Sequence, residues 1–225
     1  MATTNINVTA QAYDRVQNEG SNLTQRSTID FIGAGVTAAD DGTKTTVTIP
    51  GPIATTNFGL FAQTANSTPI TNTTVETSLI NGGVGSLTVP ANGFTVGDSF
   101  RLDMGGVMSA QNNNTITIRL KSGAVSFGDS GAMVMPSITN QVWYLTTTFT
   151  VRSIGAAGVA SIVALSQFHI LKLASGTQQG FAWNTVNSTT FNTTISNTLD
   201  ITVQWGSANA NNSIYSDIFT LNKTY

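Results

Sequence analysis

The chain alternates apolar and polar residues in short runs that recur along most of its length. The clearest runs occupy residues 100–104, 115–120, 143–151 and 199–205. Successive side chains of a strand point to opposite faces, so this period of two predicts strands with one buried and one wetted face. That pattern is typical of antiparallel sheets. The best helical pattern, in residues 7–19, is short and poorly capped, so the sequence disfavours a helix there.

Turn-forming residues separate these runs. The sequence Asp40-Asp41-Gly42-Thr43 precedes the strand-like residues 45–49 and predicts a hairpin. Eight or more strand-like runs follow Pro52. Their spacing favours a two-sheet sandwich such as a jelly roll. The sequence therefore predicts an all-β protein built as an antiparallel β-sandwich.

Pro50-Gly51-Pro52 is the best candidate for a domain boundary. It separates an N-terminal segment, residues 1–52, from a head domain, residues 53–225. The segment contains one predicted hairpin, from residues 28–32 and 45–49. So few strands bury too little apolar surface to stand alone. We therefore expect the segment to pack against copies of itself or against the following domain.

The composition narrows the functional class. Only 9% of the residues are charged, and Thr, Asn, Ser and Gly take their place. This composition is more typical of extracellular and particle-surface β-proteins than of cytosolic enzymes. The formal net charge is −2 and Lys and Arg form no run, which argues against nucleic acid and anionic membranes as partners. The absence of cysteine excludes disulfides, thiol nucleophiles and cysteine metal sites, and favours assembly in a reducing cytoplasm.

No targeting or spanning segment is evident. The first residues lack the basic and apolar stretches of a signal peptide. The longest weakly polar segment, residues 154–173, is interrupted by Gly, Ser, Gln, His and Lys, so it predicts a loop and a long strand. We expect a protein made without classical secretion and without membrane insertion.

The residues that carry chemistry are sparse. His169 is the sole histidine, lies in a strand-like run, and is expected to be a partly buried or interface residue. No Gly-x-Ser-x-Gly nucleophile elbow occurs. Asp40-Asp41-Gly42 or Asp129 could contribute to a calcium site, although turn formation explains them without an ion. The sequence predicts no enzyme, metal or cofactor, and a glycosidase-type carboxylate pair drawn from distant strands stays as an alternative.

Aromatic and amide residues give the candidate contact sites. Trp143 and Trp205 lie on apolar strand faces and are expected in the core. Trp183 follows Gly180-Phe181-Ala182 in a loop-like region, residues 176–183, and is a candidate for a ligand or subunit contact. The loop Asn112, Asn113 and Asn114, expected at an end of the sandwich, is the second candidate.

Two groups of motifs resemble viral proteins. Residues 22–36 (NLTQRSTIDFIGAGV), with the Asp40-Asp41-Gly42 turn and residues 45–50 (TTVTIP), resemble hairpin segments of phage tail-fibre and baseplate proteins. A second group resembles the jelly-roll heads of viral fibre and minor capsid proteins, in phages and large double-stranded DNA viruses. It comprises the stretches GSLTVPANGFTVGDSFR (85–101), NTITIRL (114–120), TFTVRS (148–153), LDITVQWG (199–206) and NSI (212–214).

The resemblance implies a homotrimer with tumour-necrosis-factor-like packing of three jelly rolls. It implies a viral structural protein of the virion surface, made in the host cytoplasm, as a knob, fibre head or minor capsid component. Residues 1–52 would attach it or lock the trimer, with other capsid or tail proteins as partners. Two alternatives stay open: a head that binds a host receptor or glycan, and a polysaccharide-cleaving enzyme.

Overall fold

The protein is described here from a computed structural model. The described residues are 17–18, 21–22, 37–40, 42, 45–48, 60–172, 176–188 and 191–225. Within these ranges the protein has eighteen strands and no helix. The chain divides into two compact units, Met1–Ile53 and Ala54–Tyr225, one residue beyond the boundary that Pro50-Gly51-Pro52 indicated.

The first unit contains two short strand pairs among its described residues. Strands β1 (Gln17–Asn18) and β2 (Ser21–Asn22) pair antiparallel, as do β3 (Thr37–Asp40) and β4 (Thr45–Thr48). The second pair confirms the hairpin at Gly42, which has a positive φ of 82°. However, the strand that faces β4 is β3, whereas the predicted strand at residues 28–32 lies outside the described residues. Of residues 7–19, only β1 is described, and it is a strand.

The second unit contains the remaining fourteen strands of the described residues. They are β5 (Phe61–Gln63), β6 (Ile70–Thr71), β7 (Thr77–Ser78), β8 (Gly83–Gly85), β9 (Thr88–Val89), β10 (Ser99–Ala110), β11 (Thr115–Ser122), β12 (Val125–Asp129), β13 (Met133–Val134), β14 (Ile138–Ser153), β15 (Ser161–Leu171), β16 (Gln178–Ser188), β17 (Asn197–Trp205) and β18 (Ser213–Lys223). The predicted runs fall in β10, β11, β14 and β17. The loop and long strand predicted for residues 154–173 are confirmed, because β15 follows a loop at 154–160.

These strands form two antiparallel sheets. The large sheet has the order β16-β15-β14-β10-β18-β5-β8, with β6 also paired to β18. The small sheet has the order β12-β11-β17-β7, with β13 on β11 and β9 on β17. The arrangement is consistent with a β-sandwich, so the described residues confirm the predicted all-β class.

One apolar core draws on both sheets. The rings of Phe100 and Phe149, from neighbouring strands of the large sheet, stack at 4.9 Å. Phe127, on β12 of the small sheet, meets Phe149 edge-on at 5.6 Å. Trp143 and Trp205 are buried as predicted. Their indole nitrogens donate to backbone carbonyl oxygens, so the two largest core side chains leave no polar atom unsatisfied.

Candidate functional site

Trp183 lies on strand β16, not in a loop. The prediction of a loop over residues 176–183 was wrong from Gln178 onward, because antiparallel pairing of β16 with β15 overrides the weak local signal around Gly180. The Trp183 side chain is half-buried and packs against the core. Its indole nitrogen is buried and has no hydrogen-bond partner in the described part of the chain. Its ring is therefore a core-facing side chain and not an open stacking platform.

Trp183→Phe is expected to change the free energy of unfolding by about 1 kcal/mol or less, because it removes an unsatisfied donor along with some apolar surface. Trp143→Phe is the matched control. The Trp143 indole nitrogen donates to the Tyr215 carbonyl oxygen at 3.2 Å, so its loss should cost at least 1 kcal/mol more. Chemical unfolding of both variants at equal protein concentration measures this difference. Equal losses would show that the Trp183 nitrogen has a partner in solution.

The predicted Asn112–Asn114 loop does lie at one end of the sheets, between β10 and β11. Asn112 and Asn113 are exposed, and Asn113 adopts a positive φ of 61°, which Asn tolerates in turns. Asn114 is buried, and its side chain bonds the Thr115 nitrogen and the Ser207 carbonyl oxygen. Asn112 and Asn113 are therefore the members of this loop that are free to meet a ligand.

The two candidate sites are far apart. Trp183 lies in register with Ser166, Thr147 and Leu102 across the large sheet. Leu102 is eight residues before Ala110, where β10 ends, which corresponds to about 26 Å along the strand. A single small ligand cannot contact Trp183 and the Asn112–Asn114 loop together.

The outer face of the small sheet is charged. Glu76 Oε1 accepts hydrogen bonds from Lys121 Nζ at 2.8 Å and from Thr202 Oγ1 at 2.6 Å. These two hydrogen bonds lower the pKa of Glu76 below its ordinary value. The Arg119 guanidinium bridges Glu76 at 3.3 Å and Asp129 at 2.8 Å. The charges of this network are therefore paired with one another, and the side chains of Arg119, Glu76 and Lys121 are partly buried.

Asp200 belongs to the same face. Its burial raises the pKa of the carboxyl group, opposed by the hydrogen bond that Ser78 Oγ donates at 2.6 Å. The negative charge of Glu76 adds to the rise in the pKa of Asp200, yet both carboxylates lie on one sheet face beside Lys121. Asp200 and Glu76 therefore do not face each other across a cleft, as the two carboxylates of a glycosidase must in order to flank the glycosidic bond.

The other chemical candidates have simple structural roles. His169 is exposed on β15 and lies in register with Gly180 and Tyr144. Asp129 accepts bonds from Arg119 and from the Gly131 nitrogen, as a turn residue does. Within the described ranges, no group of three or more His, Asp or Glu side chains could hold a metal ion. The same residues include no helix with the length and hydropathy that crossing a bilayer requires.

The outer face of the large sheet carries an apolar patch. The patch consists of Val107, Val142, Tyr144, Leu171, Tyr215 and Ile218. Its members occupy adjacent positions on four strands, because Val107 pairs with both Val142 and Tyr215. Tyr144 is 59% exposed and Ile218 is 57% exposed. Contiguous apolar side chains exposed on a protein surface are characteristic of sites that contact another protein.

Two glycines of the large sheet lie under aromatic rings at or beside this patch. A Cβ on Gly105 would lie 3.3 Å from the Tyr144 ring, and a Cβ on Gly180 would lie 2.8 Å from the His169 ring. Each ring therefore covers a neighbouring glycine, which protects the backbone of a strand that lacks a side chain there.

The patch was missed at the sequence level. Alternation predicts that the outward residues of β14 are polar, yet Val142 and Tyr144 occupy outward positions between the buried Trp143 and Leu145. The continuous apolar run at 142–145 was the available signal. Ile218 gave no signal, because the irregular register between Gly105 and Gly106 shifts the face of β18 by one residue.

Among the described residues, β16 is the terminal strand at one edge of the large sheet. Strand β16 has eleven residues and contains no charged residue and no proline. Long edge strands normally carry charged residues or proline, which prevent pairing with another chain. The other terminal strands are shorter: β8 has three residues, β7 has two, and β12 has five and ends in Asp129. Among the described strands, β16 is therefore the edge with the least protection.

Comparison of the chain with models of known protein families matches none of them. Comparison with curated proteins finds no match either.

Proposed function

We propose that the protein is a viral structural protein whose head is a tumour-necrosis-factor-like jelly roll and which works as a homotrimer. In this proposal it forms a surface knob, a fibre head or a minor component of the capsid. The observation that carries the proposal is the contrast between the two outer faces: the small sheet presents paired charges to solvent, and the large sheet presents the apolar patch.

The strand order supports the jelly-roll assignment. Four strands of the large sheet, β5-β18-β10-β14, and four of the small sheet, β9-β17-β11-β12, make eight. The first strand of the unit pairs with the last, β5 with β18. The chain passes repeatedly between the sheets, as two Greek keys require. The β15–β16 hairpin then extends the large sheet by two strands.

Charges flanking the patch support association with copies of the same chain. Lys172 follows β15 at one side of the patch, and Asp217 lies in β18 at the other side. About three strand spacings, roughly 14 Å, separate those strands. No ion pair joins either residue to another within the described residues. Each copy thus offers both signs of charge around an uncharged centre, which suits self-association.

Ile218→Lys is expected to convert the trimer to a monomer, because each contact would bury an unpaired ammonium in the patch. Light scattering after size exclusion measures the mass against the 23.5 kDa chain. Ile195→Lys is the matched control, since Ile195 is 54% exposed and lies outside the patch; this variant should stay trimeric. Wild-type protein that is monomeric at micromolar concentration would contradict the trimer.

The virion role is tested separately. Mass spectrometry of purified particles should detect the chain, and density fitting should place three copies around a three-fold axis. Particles that lack the chain would contradict the structural role, whatever its mass in solution.

A head that binds a receptor or glycan is the second candidate. The Asn112–Asn114 loop lines a depression of about 310 Å³, and a neighbouring depression of about 380 Å³ shares Gln111 with it. Both depressions are lined mainly by amide, hydroxyl and backbone groups, the second also by Ala110, Ile138 and Ala210, and neither lining includes a charged side chain. Such linings suit the hydroxyl groups of a neutral saccharide.

Asn112→Ala is expected to reduce binding to neutral glycans on an array without changing the fold, because Asn112 is exposed. Asn211→Ala tests the second depression in the same way, since its amide donates to Gln111 Oε1 at 2.9 Å. An array on which the wild-type protein binds nothing would contradict this second role.

A further inference from the structure

We infer that the pair Asn81-Gly82, between β7 and β8, is a site of spontaneous deamidation in the folded protein, and that this modification loosens β8 at one edge of the large sheet. The reaction consumes water and needs no other reactant. The inference is independent of the proposed viral role, because it depends only on this pair and on its surroundings in the second unit.

The residue that follows an asparagine governs this chemistry. Its backbone nitrogen bonds to the side-chain carbonyl carbon of the asparagine, the proton of that nitrogen passes to the amide, and ammonia leaves as a succinimide ring closes. Water then adds to one of the two ring carbonyls and gives aspartate or isoaspartate. Glycine favours ring closure, because it has no Cβ beside the attacking nitrogen and adopts backbone conformations that other residues avoid. The chain contains two such pairs, Asn81-Gly82 and Asn92-Gly93.

The Asn81 side chain is folded back onto the nitrogen that attacks it. The Gly82 nitrogen donates to Asn81 Oδ1 at 2.7 Å. Since Cγ is one C=O bond from that oxygen, about 1.2 Å, the nitrogen lies within about 4 Å of the carbon that it must reach. Rotation about the Cβ–Cγ bond turns the face of the carbonyl toward the nitrogen, and groups held so close react faster than free ones.

The surroundings of Asn81 leave room for the reaction. Asn81 and Gly82 are both exposed, so water reaches the ring. A Cβ built on Gly82 would meet no atom within 4 Å, and the backbone at this position can therefore change conformation without a clash. Folding thus leaves this pair open to ring closure.

The same two residue types at Asn92-Gly93 are held in a conformation that opposes the reaction. The Gly93 nitrogen donates to the Pro90 carbonyl oxygen at 2.9 Å and closes a turn, in which Asn92 has a positive φ of 59°. The Asn92 nitrogen donates to the Thr193 carbonyl oxygen at 2.8 Å. Attack by the Gly93 nitrogen would break the turn, so we expect Asn92 to react slowly in the folded protein.

Conversion of Asn81 to aspartate removes a bond between two segments of the chain. Asn81 Nδ2 donates to the Asn66 carbonyl oxygen at 2.8 Å. A carboxylate has no proton to donate, so the product places a negative charge beside an oxygen that is itself an acceptor. The two oxygens repel each other, and the segment that leads into β8 loses this attachment.

The isoaspartate product has a larger effect, because its backbone runs through the side-chain carbon and is longer by one methylene group. Strand β8 pairs with β5 directly after this point. Gly83 packs so closely on β5 that an added Cβ would overlap the Ala62 carbonyl oxygen. A fit this tight does not accept a longer backbone beside it. We therefore expect β8 to separate from β5 in the isoaspartate form.

Peptide mapping after incubation in mildly alkaline buffer measures the reaction. Chymotrypsin cleaves after Leu79, Leu87 and Phe94, which places Asn81 and Asn92 on separate peptides. Mass spectrometry resolves the replacement of an amide by a carboxyl group, and labelling with isoaspartyl methyltransferase detects the longer backbone. In the folded protein the Asn92 peptide should react at least about tenfold more slowly than the Asn81 peptide.

Two controls show that the fold and the glycine cause this difference. In concentrated urea both peptides should react at similar rates, because both pairs are then Asn-Gly in an unfolded chain. In folded Gly82→Ala the reaction at Asn81 should slow by about tenfold or more, since the new Cβ hinders the attacking nitrogen. The open space at Gly82 lets this variant fold.

Hydrogen exchange measures the loosening of β8. The Ser86 nitrogen donates to the Leu60 carbonyl oxygen at 2.9 Å, so exchange of its amide reports whether β8 is in place. Aged protein, isolated by anion exchange through its added negative charge, should exchange this amide faster than fresh protein. Asn81→Asp should show a smaller increase. The Ile118 amide, which donates to Ser130 Oγ at 2.9 Å on the small sheet, should be unchanged.

The results distinguish this inference from its alternatives. An Asn81 that stays intact in the folded protein but reacts in urea overturns it, as does equal reaction of the two pairs in the folded protein. Reaction at Asn81 that leaves the Ser86 amide fully protected also overturns it. Selective reaction at Asn81, suppressed by Gly82→Ala and accompanied by faster exchange at Ser86, supports it. None of these results depends on whether the protein is a trimer.

Discussion

Gly106→Ala is expected to destabilise the head domain by about 3 kcal/mol, because an added methyl group has no space there. Its Cβ would overlap the Tyr215 carbonyl oxygen and lie 2.8 Å from Ser216 Cα. These are backbone atoms of β18, so relief requires β10 and β18 to separate. For a domain of this size the loss corresponds to a fall in melting temperature of about 6–12 °C.

The cause of this close approach is the bulge in β18. The register between β10 and β18 shifts between Gly105 and Gly106, leaving Asp217 unpaired in the ladder, and such a bulge disrupts the regular spacing of the two strands locally. The Tyr215 carbonyl oxygen there also accepts the indole hydrogen bond of Trp143. A methyl group at Gly106 would disturb this bond as well.

Gly82→Ala is the matched control. A Cβ at Gly82 meets no atom within 4 Å and its backbone needs no positive φ. Its stability should stay within about 0.5 kcal/mol of the wild type, or rise slightly, since alanine restricts the unfolded chain. Both variants are best compared in the monomeric Ile218→Lys background, where assembly does not contribute to stability. Equal stabilities of the two variants would contradict the packing at Gly106.

Asp98→Ala is expected to cost about 3 kcal/mol, because it leaves the ammonium of Lys223 partly buried without a counter-charge. The Asp98 side chain is 7% exposed and receives Lys223 Nζ at 2.8 Å. It also accepts hydrogen bonds from the Thr95 nitrogen and hydroxyl, at 2.9 and 2.7 Å. These bonds close the turn before β10 and fix the C-terminal strand β18 to it.

Asp98→Asn separates the charge from the turn. Asparagine can still accept a hydrogen bond from Thr95, but it does not neutralise Lys223. We expect the free energy of unfolding of Asp98→Asn to lie between those of the wild type and of Asp98→Ala. An Asp98→Asn variant as stable as the wild type would show that Lys223 gains nothing from the carboxylate charge.

The same residue should give the protein part of its acid sensitivity. Burial alone would raise the pKa of Asp98, but Lys223 and Thr95 outweigh it and hold that pKa below its ordinary value of 3.8. A group with a lowered pKa in the folded state stabilises the fold above its unfolded value and loses this contribution as the pH falls through the folded value. Stability should therefore fall below about pH 4, and less steeply in Asp98→Asn. An unchanged acid slope would contradict this assignment.

The alternation of residues was sufficient to predict the strands that build the core. In β11 and β17, every second side chain is buried and the intervening ones are polar, so the period of two alone indicated both the element and its faces. Trp143 and Trp205 were placed in the core for the same reason. These features are local, because they depend on the direction in which successive side chains of one strand point.

Trp183 shows where this reasoning failed. The residues around Gly180 indicate a loop locally, yet they form β16 because β15 offers a complete row of hydrogen-bonding partners. The contribution of such pairing depends on a strand that is distant in space until the chain folds. Similarly, nothing in the neighbourhood of Ile218 shows that a bulge turns its side chain to the outer face.

The sequence by itself determined the all-β class, the alternation of buried and wetted faces, and the absence of cysteine chemistry. These follow from residue type and spacing, which need no knowledge of the partner strand. Only the tertiary structure decided which outer face is charged and which is apolar, and which long uncharged strand ends the large sheet. Both depend on the order of strands within a sheet, since Val107, Val142, Tyr144 and Ile218 form one patch only when β10, β14 and β18 lie side by side.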